Sequence, residues 1–82
     1  MHEIIYNLAL IDTINFCKQH NIDCSGTYLN KQDKHGKYFY TLTTHEYHIP
    51  LVTVEFHKMS VPTHYIHTKE DMERAKKAFL DK

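Results

Sequence analysis

The chain has 82 residues, which suffices for one small domain spanning residues 1–82 and excludes two domains. Ten Lys and Arg balance ten Asp and Glu, so the strongly basic composition typical of proteins that bind nucleic acid or anionic membranes is missing. Two cysteines, no apolar run near the ~18 residues of a membrane span and no signal-peptide pattern predict a soluble, cytoplasmic protein without a membrane partner.

The N-terminal segment predicts a helix over residues 3–21. Its apolar residues fall on two neighbouring ridges at helical spacing, which together predict a broad face packed on the core. Asp, Ser and Gly occur within residues 22–26 and predict the end of this helix. The first ridge contains Ile4, Leu8 and Ile11, and the second contains Leu10, Ile14 and Cys17.

The middle of the chain predicts an antiparallel meander. Residues 26–31 and 37–44 are rich in β-branched and aromatic types, and residues 32–36 between them predict a hairpin loop. Residues 51–58 alternate between apolar and polar types, which is typical of a strand with one buried face. Residues 64–67 predict either a short fourth strand or an extended connection.

The C-terminal segment predicts a second helix that starts at Thr68, where Asp71 stands three residues on as in a capping box. Met72, Ala75 and Phe79 form its apolar stripe. The fold class predicted is therefore α+β: helix, three-stranded antiparallel meander with a short fourth strand as an option, helix, with both helices on one sheet face. In the register favoured, Tyr38, Tyr40 and Leu42 face the helices, while the open face carries Phe39, Thr41, Thr43, Thr53, Glu55 and His57.

An open face rich in aromatic and imidazole side chains is typical of a protein interface. We therefore expect a small non-enzymatic protein-interaction or inhibitor module of the phage or mobile-element type, which binds a protein partner and uses no cofactor. Edge strands could also pair two copies into a homodimer. The predicted partner-binding anchors are Tyr28, Phe39, Tyr47, His57 and Tyr65.

Binding of RNA or DNA is the alternative interpretation. Lys31, Lys34 and Lys37 lie in and beside the hairpin loop, near aromatic rings on which bases could stack. The order helix, three strands, helix also resembles the double-stranded-RNA-binding domain and the small HicA-type ribonuclease toxins, over nearly the whole chain but in element order and length alone. The toxin resemblance implies catalysis by His35 in the segment DKHGKYF, although no Gly precedes it. Where the RNA-binding family opens its second helix with lysines, this chain reads TKEDMERAK, which argues against duplex binding.

The sequence contains eight histidines, and four of them have the spacing of paired metal ligands. A metal site is an alternative to the principal expectation, under which these imidazoles lie at the surface and bind no metal. The four residues are His45 with His48 and His64 with His67.

Overall fold

The computed structural model describes residues 2–56 and 61–81. The elements follow the predicted order, and the fourth strand is present, so the α+β class is confirmed. All strand pairs are antiparallel, and the sheet order is the chain order. The elements are α1 (His2–Gln19), β1 (Thr27–Lys34), β2 (Lys37–Thr44), β3 (Pro50–Phe56), β4 (Thr63–Ile66) and α2 (Lys69–Leu80).

The hairpin between β1 and β2 is tighter than the predicted five-residue loop. His35 and Gly36 alone connect the strands, and both have a positive φ, 55° and 73°. A two-residue turn with left-handed backbone at both positions matches the twist of the flanking strands, and glycine adopts that backbone without strain. The strands therefore continue to the Lys34–Lys37 pair at the tip.

Helix α1 ends in a Schellman motif. Asn21 takes the left-handed backbone that follows the helix, with φ 56°, and the Ile22 amide donates to the Cys17 carbonyl at 2.9 Å. Ile22 also packs against the core cluster that contains Cys17. This termination confirms the predicted turn after the first helix and directs the chain toward β1.

The core lies between α1 and one face of the sheet. Tyr40 and Leu42 from β2 and Val52 and Val54 from β3 are fully or almost fully buried there, as the alternation predicted. The helix contributes small residues to the centre of this contact, with Ile5, Leu10 and Phe16 packed around it. Its buried residues are Ala9, Thr13 and Cys17.

The prediction that the first ridge of α1 packs on the core is wrong. Ile4, Leu8 and Ile11 are 63%, 55% and 59% exposed. The helix instead turns its small residues to the sheet, because a narrow surface allows close approach, and the Thr13 hydroxyl can be buried there since it donates to the Ala9 carbonyl at 2.6 Å.

The position of α2 also differs from the expectation that both helices cover one face. No residue of α2 (Lys69–Leu80) is buried. Its Ala75 lines a groove with Phe39 and Thr41, which lie on the sheet face opposite the core. The two helices therefore stand on opposite faces, α1 on the core face and α2 over the other, which we call the groove face.

Candidate functional site

A groove of about 440 Å³ lies between α2 and the groove face of the sheet. Its position follows from strand alternation, because every lining residue of β1 and β2 belongs to the set that points away from the core. We call it the α2 groove. It is lined by Asn30, Gln32, Lys34, Phe39, Thr41, Thr43, His48, Pro50, Thr53, His67 and Ala75.

A row of hydrogen bonds crosses the floor of the α2 groove. The hydroxyls of Thr41 and Thr53 are 2.8 Å apart on paired strands, and the Thr53 hydroxyl is also 2.7 Å from Nε2 of His67. His67 Nδ1 is 3.9 Å from the Asp71 carboxylate. The two side chains form an ion pair only when the imidazole is protonated. The row connects β2, β3 and the approach to α2, so we assign it a scaffold role.

An aromatic cluster surrounds His48, which is one of the residues that line the groove. The Tyr28 hydroxyl on β1 and Nδ1 of His48 share a hydrogen bond of 2.8 Å, and the ring of Phe79 on α2 lies 5.3 Å from the His48 ring. Tyr47 and His48 both have left-handed backbone, with φ 62° and 49°. The Ile49 amide donates to the Thr44 hydroxyl at 3.0 Å, and this bond helps to hold the loop in that conformation.

The predicted anchors divide into three groups. Tyr28, Phe39 and Tyr47 lie around the α2 groove: Phe39 lines it, and Tyr47 contacts Phe79 edge-on at 5.5 Å. Tyr65 is on the same sheet face but on β4, where it pairs with Thr53 across the strands. His57 lies outside the described residues.

Tyr65 belongs to a separate polar cluster. Its hydroxyl donates to the buried Glu55 carboxylate at 3.1 Å, and Lys37 Nζ is 3.6 Å from the other Glu55 oxygen. This hydrogen bond to Glu55, together with slight burial and the nearby negative charge, raises the pKa of Tyr65. The cluster neutralises a buried charge, which would otherwise be unfavourable at this position.

The three lysines of the nucleic-acid interpretation do not form one patch. Lys31 points to the core face, where its Nζ is 3.6 Å from Asp33 and 4.8 Å from the centre of the Tyr38 ring. Lys34 lines the α2 groove, and Lys37 pairs with Glu55. The alternation of β1 therefore separates Lys31 from Lys34.

Of the two histidine pairs, His45 and His48 both pack on the Tyr28 ring, with ring centres 4.8 Å and 6.1 Å from it, whereas His64 and His67 are separated. His64 faces the core side, 2.5 Å from Asp12 and stacked on Phe16 at 4.2 Å, whereas His67 bonds to Thr53 on the groove face. Residues three apart at a strand point to opposite faces, so the spacing that pairs ligands in a helix separates them here. Within residues 2–56 and 61–81, no three or more His, Cys, Asp or Glu side chains are grouped to hold a metal ion.

His35 occupies the exposed tip of the hairpin. The described residues give it no hydrogen-bond or ion-pair partner that could orient the imidazole as a general base. The ribonuclease interpretation thus gains no supporting geometry from the part of the chain described.

Sequence reasoning missed the groove-lining role of Asn30, Gln32 and Ala75. The alternation of residues 27–34 contained part of the signal, since Asn30 and Gln32 share a strand face with Lys34. The contribution of Ala75 could not be found, because the stripe that contains it was assigned to the core.

Comparison with known proteins identifies no relative: no family model, curated protein or solved structure matches the chain. None of the helices in the described part is long and apolar enough to cross a membrane.

Proposed function

We propose that this protein is a non-enzymatic interaction module, and that its α2 groove binds an extended acidic segment of a partner protein. The proposal rests chiefly on the composition of the groove. Phe39, Pro50 and Ala75 supply apolar contacts, while Lys34 supplies a positive charge. Among the described lining residues, none is acidic. A ligand with carboxylates next to a small apolar side chain complements such a lining.

A protein ligand is favoured over nucleic acid by the amount and placement of positive charge. The formal charge of the chain is zero, and Lys34 is the one lysine among the lining residues described. Affinity for a phosphate backbone requires several such contacts, because each neutralised phosphate adds to the electrostatic term. A single lysine with neutral amides from Asn30 and Gln32 fits a short polypeptide better.

The neighbouring edge strand adds a way to hold an extended chain. The outer edge of β1 pairs with no other described strand, because β1 is the first strand of the sheet order. An extended peptide that hydrogen-bonds to such an edge directs alternate side chains toward one face, here the face that carries the groove. The unpaired state of Cys17 and Cys24 fits a reducing compartment, so we place the inhibitor or adaptor role in the cytoplasm.

Selection from a displayed library of random peptides tests the proposal. We expect enrichment of segments rich in Asp and Glu, with binding lost in Ala75→Glu and weakened at least tenfold in Lys34→Glu. The matched control is Ala78→Glu, an equal change at an exposed position of the same helix that does not line the groove. Equal effects of both alanine substitutions would contradict the groove assignment.

Binding of a labelled single-stranded RNA distinguishes the alternative. If the wild type binds that RNA with a steep loss of affinity in salt, and selects no peptide, then the nucleic-acid interpretation replaces the proposed function. RNA cleavage that disappears in His35→Ala would identify the ribonuclease variant of that interpretation.

A further inference from the structure

The row of hydrogen bonds on the floor of the α2 groove can run in either of two directions. The Thr53 hydroxyl lies 2.8 Å from the Thr41 hydroxyl and 2.7 Å from Nε2 of His67. A hydroxyl carries one proton, so Thr53 donates either to His67 or to Thr41 and accepts from the other. The direction of the whole row therefore depends on whether Nε2 of His67 carries a proton.

We propose that protonation of His67 reverses this row, and that the reversal turns the Thr41 hydroxyl into a hydrogen-bond donor for a carboxylate bound in the α2 groove. This inference rests on the proposed function, under which the groove binds an acidic segment, and it names the regulation of that site. The row thus has a second role besides that of a scaffold, because it transmits the protonation state of His67 to the ligand.

When the imidazole is neutral, the neighbouring carboxylate determines which ring nitrogen carries the proton. Nδ1 of His67 is 3.9 Å from Oδ2 of Asp71, so the proton is favoured on Nδ1, where a bare lone pair would face a negative charge. Nε2 is then an acceptor, and the Thr53 hydroxyl donates to it. Thr41 in turn donates to Thr53, which leaves only its oxygen lone pairs for the groove. A ligand carboxylate, itself an acceptor, gains no hydrogen bond from the Thr41 hydroxyl in this state.

When the imidazole is protonated, both of its ring nitrogens are donors. Nε2 then donates to the Thr53 hydroxyl, Thr53 donates to Thr41, and the Thr41 proton is no longer used within the row. Thr41 lines the α2 groove, and its hydroxyl has no further hydrogen-bond partner among the described residues. Its proton is therefore available to a ligand, and a hydrogen bond to a charged carboxylate is stronger than one between neutral groups.

The charge of a protonated His67 is balanced within the site, so its effect on a ligand passes mainly through the row. The Asp71 carboxylate stands beside the imidazole, and the His67 side chain is only 25% exposed. Arg74 on α2 lies 3.9 Å from the other Asp71 oxygen. Other ionisable groups in or beside the groove are Lys34 and His48 in its lining and Glu55, paired with Lys37, on the same face of β3.

Nitrogen-15 NMR of the imidazole rings tests the reversal without any ligand. At about pH 8 the His67 signals should be those of a neutral ring with its proton on Nδ1, and at about pH 5.5 those of a ring protonated on both nitrogens. The signals that disappear in His67→Gln identify this ring. A neutral ring with its proton on Nε2 would overturn the proposal, because Nε2 would then donate to Thr53 at both pH values and the row would not reverse.

The affinity for an acidic peptide measures what the reversal does to the groove. The probe is a capped synthetic peptide of alternating Glu and Ala, whose carboxylates stay largely ionised at both pH values. Wild type should bind it roughly tenfold more tightly at about pH 5.5 than at about pH 8, because one hydrogen bond to a charged group is gained. Thr41→Val removes the donor and should keep about threefold or less of this gain, from added positive charge alone. Thr53→Val interrupts the row and leaves Thr41 free to donate, so its affinity at about pH 8 should already match that of wild type at about pH 5.5.

The matched control is Thr43→Val, the same change at another threonine of the groove, whose hydroxyl donates to a backbone carbonyl at 3.3 Å and stands outside the row. It should keep the full pH effect, and circular dichroism should show that each variant is folded. An equal pH effect in wild type and Thr41→Val would overturn the proposal, because the gain would then come from charge alone, that of His48 included. A peptide that binds at neither pH would contradict the proposed function and the carboxylate step that rests on it, whereas the NMR result decides the reversal of the row by itself.

Discussion

The hydroxyl of Tyr40 is buried without a hydrogen-bond partner among the residues that the structure describes. The ring is fully buried and packs edge-on against Tyr6 and Phe56, with ring centres 6.1 Å and 6.2 Å away. Burial, reinforced by Asp33 and Tyr38, raises the pKa of the phenol. Replacing Tyr40 by Phe keeps these ring contacts and removes only the oxygen.

The expected change is an increase in stability. A buried polar group that lacks a partner costs about 1–3 kcal/mol, because its hydrogen bonds to water in the unfolded chain are not replaced. The gap left by one missing oxygen costs at most about 1 kcal/mol. Tyr40→Phe should therefore raise the free energy of unfolding by about 1 kcal/mol, which corresponds to roughly 5 °C in Tm for a domain of this size.

Urea unfolding followed by circular dichroism measures this change, with Tyr65→Phe as the matched control. The same atom is removed at position 65, but there the hydroxyl donates to the buried Glu55 carboxylate, so the control should lose stability. A loss of stability in Tyr40→Phe as well would refute the reasoning, because it would show that the Tyr40 hydroxyl has a partner in solution.

Four further predictions concern the thiols, the helix cap, the acid dependence of stability and the core. An alkylating reagent at pH 8 should label half-buried Cys24 before Cys17, because burial and then the nearby Cys24 raise the pKa of the Cys17 thiol; mass spectrometry detects the order, and equal rates would contradict it. Thr68→Ala should lower the free energy of unfolding in urea by about 1 kcal/mol, since the Thr68 hydroxyl accepts from the Asp71 amide at 3.2 Å. Hydrogen bonds from Thr68 also lower the pKa of Asp71, so its stabilising effect is present above the ordinary value of about 3.9 and is lost as the pH falls through the lowered pKa. Asp71→Asn should therefore reduce the loss of unfolding free energy that the wild type shows as the pH is lowered into the acid range. An unchanged pH dependence in that range would contradict this. Leu42→Ala should cost about 2–5 kcal/mol in the same urea assay, and a smaller loss would place Leu42 outside the core.

Local patterns predicted the sheet and the second helix well. Strand β3 was predicted because Val52 and Val54 alternate with polar residues, and such alternation directly reports which residues share a buried face. The capping box at Thr68 and Asp71 was confirmed in both of its hydrogen bonds, because a cap depends on residues three apart and little else.

The sides on which the helices pack could not be predicted from the sequence. In α1, apolar residues surround most of the helix, so more than one side of it could pack on the sheet. The side that carries Ala9 is buried and the side that carries Leu8 is exposed, because the small side chain of Ala9 allows closer packing. For α2, the direction is set after β4, where His67 bonds to Thr53 on the groove face. That bond joins residues 14 positions apart, so no local pattern contains it.

The absence of buried residues from α2 has a kinetic consequence. The helix is attached through its cap, His67 and the ring contacts of Phe79, so it can open while α1 and the central strands stay folded. Backbone amides of α2 should accordingly exchange with deuterium through local opening, long before those of β2 and β3. Local opening of α2 would let the α2 groove widen to admit the bulky side chains of a ligand and close around small ones.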